Sequence, residues 1–240
     1  MKHSLNAIWN TVVNLVYPRF CAVCRRDTET GWLCAECQRG IEPVQAPYCE
    51  SCSRPYEGSF PGKFVCPNCE ARDLAFSSAV SKYLARGTVR EIVHRLKYNG
   101  QFHLRQTLAE WLIDGFSDPR ITGEPYDAIV PVPLHPARIR ERGYDQVQAT
   151  AELAARRLRV PLWRSLRRRR YTRTQTRFDR EQRMQNLRSA FEIRKQGWVE
   201  GKRIILVDDI LTTGATLDEC ARVLRRAGAI SVRAVTVARG

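Results

Sequence analysis

Two adjacent acids, Asp208 and Asp209, stand just ahead of a turn rich in hydroxyls and backbone N–H groups: Thr212, Thr213, Gly214, Ala215 and Thr216. An apolar run over 204–207 leads into the acids and suits a buried parallel strand, and a helical pattern starts near Ala215. Strand, turn and helix in that order make half of an α/β unit, in which ligands sit beyond the carboxyl ends of strands. Unsatisfied N–H groups and the helix dipole both favour an anion at a helix start, so 212–216 reads as a phosphate site. Paired carboxylates are an odd choice for holding phosphate alone. They suit a ligand with phosphate at one end and hydroxyls or a bound cation at the other, the shape of a ribose 5-phosphate.

Cysteine supplies the second chemistry. Eight of the nine cysteines form four C-x-x-C pairs. Cys21, Cys24, Cys34 and Cys37 are spaced C-x2-C-x9-C-x2-C, and Cys49, Cys52, Cys66 and Cys69 are spaced C-x2-C-x13-C-x2-C. One pair brings two thiolates to an ion and two pairs complete a closed tetrahedral site. The intervening segments hold little that could build a core, so metal supplies folding energy. Zinc at two structural sites is expected, with no open position for catalysis. Spacing leaves two pairings open: sequential, or first pair with third and second with fourth. Cys220, inside the last helical pattern, reads as a small core residue.

Lys and Arg number 40 against 25 Asp and Glu, a formal net charge of +15 that is unevenly placed. Residues 1–70 carry seven of each sign, whereas residues 138–195 carry eighteen basic against six acidic, or +12. A field of that sign draws phosphorylated metabolites or nucleic acid. The N-terminus shows no secretory pattern, and no apolar run approaches the ~18–20 residues of a membrane span. A reducing cytoplasm is therefore expected, where paired cysteines bind metal rather than each other.

The remaining elements must position these groups. Over 4–16, Leu5, Ile8, Trp9, Val12, Val13 and Val16 form an apolar stripe at helical spacing, expected to pack on the rest of the protein. Residues 70–78 read as a linker, 79–84 as a strand, and 87–98 and roughly 102–116 as helices. His94 and Lys97 are expected to be a surface or partly packed pair. A strand over 128–132 ends among Pro131 and Pro133, and a loop with Arg138, Arg140, Arg142 and Gly143 leads to a helix from about 144 to 158. Arginines after a strand's carboxyl end would face the crevice of the acid pair and clamp a second anionic group. The most basic stretch, 164–188, contains Arg167, Arg168, Arg169 and Arg170 in a row, with Trp163, Tyr171 and Phe178 interleaved. Its weak apolar periodicity suggests a mobile segment that either holds single-stranded nucleic acid or closes as a lid over a polyphosphate. Segments 190–193 and 203–207 are expected to continue the sheet, followed by a helix over 215–227 and a last strand over 232–237.

The string VDDILTTGAT resembles the 5-phosphoribosyl 1-pyrophosphate (PRPP) motif of type I phosphoribosyltransferases at every position. The whole chain resembles the competence-associated ComF/GntX family within that group. The carriers are the N-terminal helix, the cysteine ribbons, LKYNG at 96–100, VPVPL at 130–134, RGYDQ at 142–146 and the C-terminal motif. One departure is Asp145, an acid beside Arg142 where the family more often reads RGFNQ. The resemblance implies a type I phosphoribosyltransferase fold, a parallel sheet flanked by helices, with a small double zinc-ribbon module. It implies a division into an N-terminal helix (1–18), the ribbons (19–72) and the phosphoribosyltransferase-like part (73–240), with a mobile basic hood at about 164–188. Asp208 and Asp209 would bind the ribose hydroxyls, directly or through Mg²⁺, and 212–216 would cradle the 5′-phosphate. Val132, Pro133 and Leu134, with Arg138 and Arg142, would meet the pyrophosphate; Arg173, Thr174, Gln175, Arg180 and Arg183 would belong to the hood. The implied chemistry is displacement of pyrophosphate from PRPP with Mg²⁺, in a protein tied to DNA uptake. A catalytically silent single-stranded DNA-binding protein is the alternative. No glutaminase nucleophile is expected, since every early cysteine belongs to a C-x-x-C pair.

Overall fold

The computed structural model describes residues 20–28, 31–58, 62–171, 189–194 and 197–240. The stripe over 4–16, Phe178 and the hood residues Arg173, Thr174, Gln175, Arg180 and Arg183 lie outside these.

Four strands form one parallel sheet: β1 Ala79–Leu84, β2 Ala128–Pro131, β5 Arg203–Leu211 and β6 Ser231–Arg239, in the order β1-β6-β5-β2. Alternate residues of β5 and β6 face opposite layers, as the two-residue period of a strand requires. Ile205, Val207, Val235 and Val237 join one buried cluster with α3 Gly87–Tyr98, α4 Arg105–Phe116 and α7 Gln146–Leu158. Ile204, Leu206, Val232 and Ala234 join the other cluster, with α8 Ala215–Arg226. Burial on both faces explains why these strands read as continuous apolar runs. The cysteine modules follow the same division: Cys21 packs into the first cluster, and Cys49, Cys52, Cys66 and Cys69 into the second. Among the described residues no helix is long and apolar enough to cross a membrane.

Three expectations need correction. First, β5 does not stop before the acids. Its register with β6 continues through Asp208 opposite Thr236 to Leu211 opposite Arg239, so the acids are held by strand pairing and the loop shrinks to 212–214. Second, the segment after β2 is not all loop. Pro136 opens a short helix, α6 Pro136–Arg142, capped by the His135 ring accepting the Ala137 N–H at 3.1 Å and closed by Gly143 at φ +81°. Third, 190–193 does not extend the main sheet. β4 Phe191–Ile193 pairs antiparallel with β3 Leu166–Arg168 as a separate ribbon. The free edge of β2 is taken instead by 161–163, through Ile129 N–H to Pro161 O at 2.9 Å and Trp163 N–H to Ile129 O at 2.8 Å. Leu166–Arg168 is thus ordered as strand rather than part of a mobile stretch. Trp163 packs against the second core cluster.

Candidate functional site

The chain leaves β2 through α7 on one face of the sheet and leaves β5 through α8 on the other. That reversal opens a crevice at the carboxyl ends of β2 and β5, the usual ligand position in such sheets. Asp209 is buried there and both its oxygens are engaged. Lys97 Nζ donates to Oδ1 at 2.7 Å and Gln146 Nε2 donates to Oδ2 at 3.0 Å. Asp208 Oδ1 accepts the Asp209 backbone N–H at 2.8 Å. Burial alone would raise the Asp209 carboxyl, but the charge and hydrogen bond of Lys97 and the Gln146 amide outweigh it and hold Asp209 below the usual carboxylate range. Burial, followed by the neighbouring Asp209 charge, pushes Asp208 up to about 8. Two carboxylates one residue apart are thereby driven toward different protonation states.

His94 is exposed and Lys97 half-buried, as a surface or partly packed pair should be, but Lys97 in addition reaches the acid pair. Its helix, α3, turns Val89, Ile92, Val93 and Leu96 into the core, and the ammonium follows Leu96 inward to the acid. His94 instead lies against Tyr98, ring centroids 4.9 Å apart. The Tyr144 hydroxyl donates to Leu96 O, and its ring packs on Phe102 at 4.7 Å. This contact ties the end of α3 to the start of α7, so Lys97 and Gln146 meet at one carboxylate from separate helices. Lys97 lies in LKYNG and Gln146 in RGYDQ, and nothing local to either string shows that they face one carboxylate.

On the β2 side, Val132 is buried with its N–H on Val207 O at 2.9 Å. The Leu134 N–H donates to Asp145 Oδ2 at 3.2 Å, while Asp145 Oδ1 caps α7 by accepting the Gln148 N–H at 2.9 Å. Asp145 is thus a structural cap that also occupies an amide of the 132–134 loop. The Arg142 guanidinium lies 4.9 Å from the Tyr98 ring, and its Nη1 is buried without a hydrogen-bond partner among the described residues. Arg138 pairs with Glu141 at 2.8 Å.

The phosphate-type turn follows the acids. Gly214 adopts φ +78°, a conformation that favours glycine, and forms the N-cap of α8. Thr212 is exposed, and Thr213 and Thr216 are half-buried. The Thr213 carbonyl accepts Arg72 Nη1 at 2.7 Å, a contact from the cysteine-rich part of the chain. Beyond the crevice, Pro131, Leu134, Arg164, Arg167, Arg168 and Arg194 help line a cavity of about 270 Å³. In the Arg167 to Arg170 run, Arg167 and Arg169 both pair with Glu192, the latter at 3.2 Å. Tyr171 is exposed and meets the His135 ring edge-on at 5.3 Å.

The cysteines settle into sequential tetrads, Cys21/Cys24/Cys34/Cys37 and Cys49/Cys52/Cys66/Cys69, with the four sulfurs of each within 4.8 Å of one another. Cys24–Cys34 and Cys52–Cys66 sulfur distances of 3.5 and 3.8 Å match the edge of roughly 3.8 Å of a tetrahedron built on Zn–S bonds of about 2.3 Å. Each first pair ends in a left-handed residue, Arg25 or Ser53, and each second pair opens a short helix, α1 Ala35–Arg39 or α2 Pro67–Glu70. The two modules are repeats of one zinc-binding design.

Residues 12–70 match the double zinc ribbon domain and residues 149–240 the phosphoribosyl transferase domain. The chain is 31% identical to competence protein F of Haemophilus influenzae, over 86% of this chain and 90% of that protein. It is 29% identical to the DNA utilization protein YhgH of Escherichia coli K12, over 91% and 96%. Competence protein ComFC of Bacillus subtilis is 29% identical, over 86% and 84%.

Proposed function

Because this chain belongs to the competence protein F family, which joins a double zinc ribbon to a phosphoribosyltransferase fold, we propose that it binds PRPP and transfers its phosphoribosyl group. The observation that carries this is the unbroken run of acid pair, Thr-Thr-Gly-Ala-Thr turn and helix start at the end of β5, with Asp209 already held by Lys97 and Gln146. In this reading 19–72 is the zinc module, 73–240 carries the reaction, and the protein works in the cytoplasm. The 5′-phosphate lies on the 212–216 turn, and the ribose hydroxyls face Asp208 and Asp209. The pyrophosphate meets 132–134, Arg138 and Arg142. Asp208 and Asp209 would hold Mg²⁺ arriving with the ligand, whose charge would offset that of the leaving group. The C1–O bond breaks with its electron pair leaving on pyrophosphate. The lone pair of an acceptor nitrogen forms C1–N, and the displaced proton passes to solvent. The protein's contribution is electrostatic and positional.

Calorimetry with PRPP, with and without Mg²⁺, tests binding directly. Pyrophosphate release with a panel of bases and amines tests turnover, and it is expected to vanish in the double variant Asp208→Ala/Asp209→Ala. Release equal in the variant and the unaltered protein would remove the acid pair from the reaction.

A second reading, single-stranded DNA binding, is supported by the arginine-lined cavity beside β3 and by the charge of the 138–195 segment. It fits the names of the competence and DNA utilization relatives. Affinity for an oligonucleotide is then expected to fall with salt at a log–log slope of about −0.7 per phosphate contacted. The slope should become shallower when Arg167 to Arg170 are replaced by Ala. A flat salt dependence would dismiss this reading.

A further inference from the structure

We infer that Arg72 is a positioning residue for the phosphate turn and that through it the second cysteine tetrad sets the affinity of this turn for a phosphorylated ribose. The inference rests on the proposed phosphate role of 212–216.

Arg72 follows the last ligand of the tetrad closely, and its N–H donates to Cys69 O at 3.2 Å, so its backbone is pinned to the metal module. Its side chain is only 8% exposed. Nη1 donates to Thr213 O at 2.7 Å and Nη2 to Asp218 Oδ2 at 3.4 Å. Asp218, buried in the first turn of α8, also accepts the Ala75 N–H at 2.8 Å and pairs with Arg222 at 3.2 Å. The segment around 72–75 is therefore bound to both sides of Gly214, on the carbonyl before it and on the helix after it.

The consequence follows from the geometry of a peptide unit. In a trans peptide the N–H points opposite to the C=O of the same plane. Fixing Thr213 O on the Arg72 guanidinium thus aims the Gly214 N–H away from Arg72. Glycine at 214 offers little resistance to rotation of this plane, since it is at home on either side of φ = 0. Something else must choose the orientation, and Arg72 does so with a charge-assisted bond in a desolvated setting. With the plane turned over, a carbonyl oxygen would replace an N–H donor in the turn and repel an anion. Phe76 and Leu211 close the remaining space, 3.7 and 3.6 Å from where a Gly214 side chain would begin. Asp218 N–H, bonded to Gly214 O at 2.9 Å, carries the same constraint into α8. Loss of zinc from the second tetrad would free the chain on which Arg72 stands.

The test uses the full-length, zinc-loaded protein and the variants Arg72→Ala and Arg72→Lys. Zinc per chain, Tm, and affinities for PRPP and for ribose 5-phosphate are measured with excess Mg²⁺, together with the ¹⁵N–¹H resonance of Gly214. Arg72→Ala is expected to keep its zinc and to bind both ligands at least about tenfold more weakly, the equivalent of one lost charge-assisted hydrogen bond. Its Gly214 resonance should double or broaden as the plane populates both orientations. Arg72→Lys, which keeps the charge, is expected to recover part of the affinity; if Arg72→Ala fails to fold, Arg72→Lys alone decides, by an affinity between full and lost. Unaltered affinity and a single unshifted Gly214 resonance in the folded variant would overturn the inference. If the unaltered protein binds neither ligand, the phosphate reading fails, and the Gly214 resonance still reports whether Arg72 orients the turn.

Discussion

Withdrawing zinc from both tetrads under reducing conditions is expected to unfold the whole chain, in two steps. The first tetrad is open to solvent on one side, with Cys24 exposed and Cys34 and Cys37 half-buried, whereas all four cysteines of the second are buried. A chelator should therefore remove one zinc quickly and the other slowly. The second loss is the damaging one, because the second module is bonded into the sheet. Ala79 N–H donates to Ser51 O at 2.9 Å, Ser53 Oγ donates to Ala79 O at 3.0 Å, and Arg120 Nη1 reaches Glu50 O at 3.1 Å. β1 is thus paired on one side with β6 and supported on the other by the metal module. A structural zinc contributes on the order of 10 kcal/mol, as much as the entire stability of an ordinary domain, so little margin remains once it has gone. Zinc release into a colorimetric indicator, followed alongside near-ultraviolet circular dichroism, should show the spectral change tracking the slow phase. Cys24→Ser is expected to fold with one tight zinc and a lowered Tm, and Cys66→Ser to yield no cooperative unfolding transition. A Cys66→Ser protein with an unaltered Tm would refute the coupling of this site to the fold.

How much of this was legible in the sequence depended on how local the physics was. The strand over 79–84 and the helix over 87–98 were readable because apolar periodicity within each segment decides them. The cysteine tetrads were readable down to their ligands, but not their pairing, which needs the chain's path between the pairs. The turn at 212–216 was readable because a helix N-terminus with free N–H groups is a local object. The run of β5 through its acids was not, since Asp208 and Asp209 are held in the strand by a partner, β6, that lies beyond the following helix. Phe191 misled for the same reason: an apolar run looks alike whether it joins the main sheet or pairs with Leu166–Arg168. The contacts that organise the site are the least local. Lys97 and Asp209 are 112 residues apart in the chain, and Arg72 and Thr213 are 141 apart. An isolated lysine in a helical pattern gives no hint of which carboxylate will face it.

Replacing that lysine is expected to produce the largest single-residue effect in the crevice, and one with a distinctive dependence on pH. Side-chain exposures of 18% for Lys97 and 10% for Asp209 make this a largely buried pair. Lys97→Met leaves a buried carboxylate with only the Gln146 amide, at a cost of about 3–5 kcal/mol near pH 7. The sign with pH follows from Asp209. Its pKa in the folded protein is depressed, chiefly by Lys97 working against burial. Its ionisation therefore stabilises the fold above the unfolded value of about 3.9, and that contribution is lost as the pH falls through the lower, folded value. Without Lys97, burial prevails and raises the folded pKa of Asp209 above the unfolded one. The variant then gains relative stability as acid neutralises the group. Urea unfolding at several pH values should show the gap between the two proteins widest at neutral pH and narrowing toward pH 4. Lys97→Arg, which keeps the charge, should show a much smaller gap, and Arg86→Met, which removes an exposed partner of Glu42 at 3.9 Å, almost none. A Lys97→Met gap below about 1 kcal/mol, or one unchanged by pH, would mean that Asp209 is already neutral in the unaltered protein. In that case Asp208, and not Asp209, would be the ionised member of the pair.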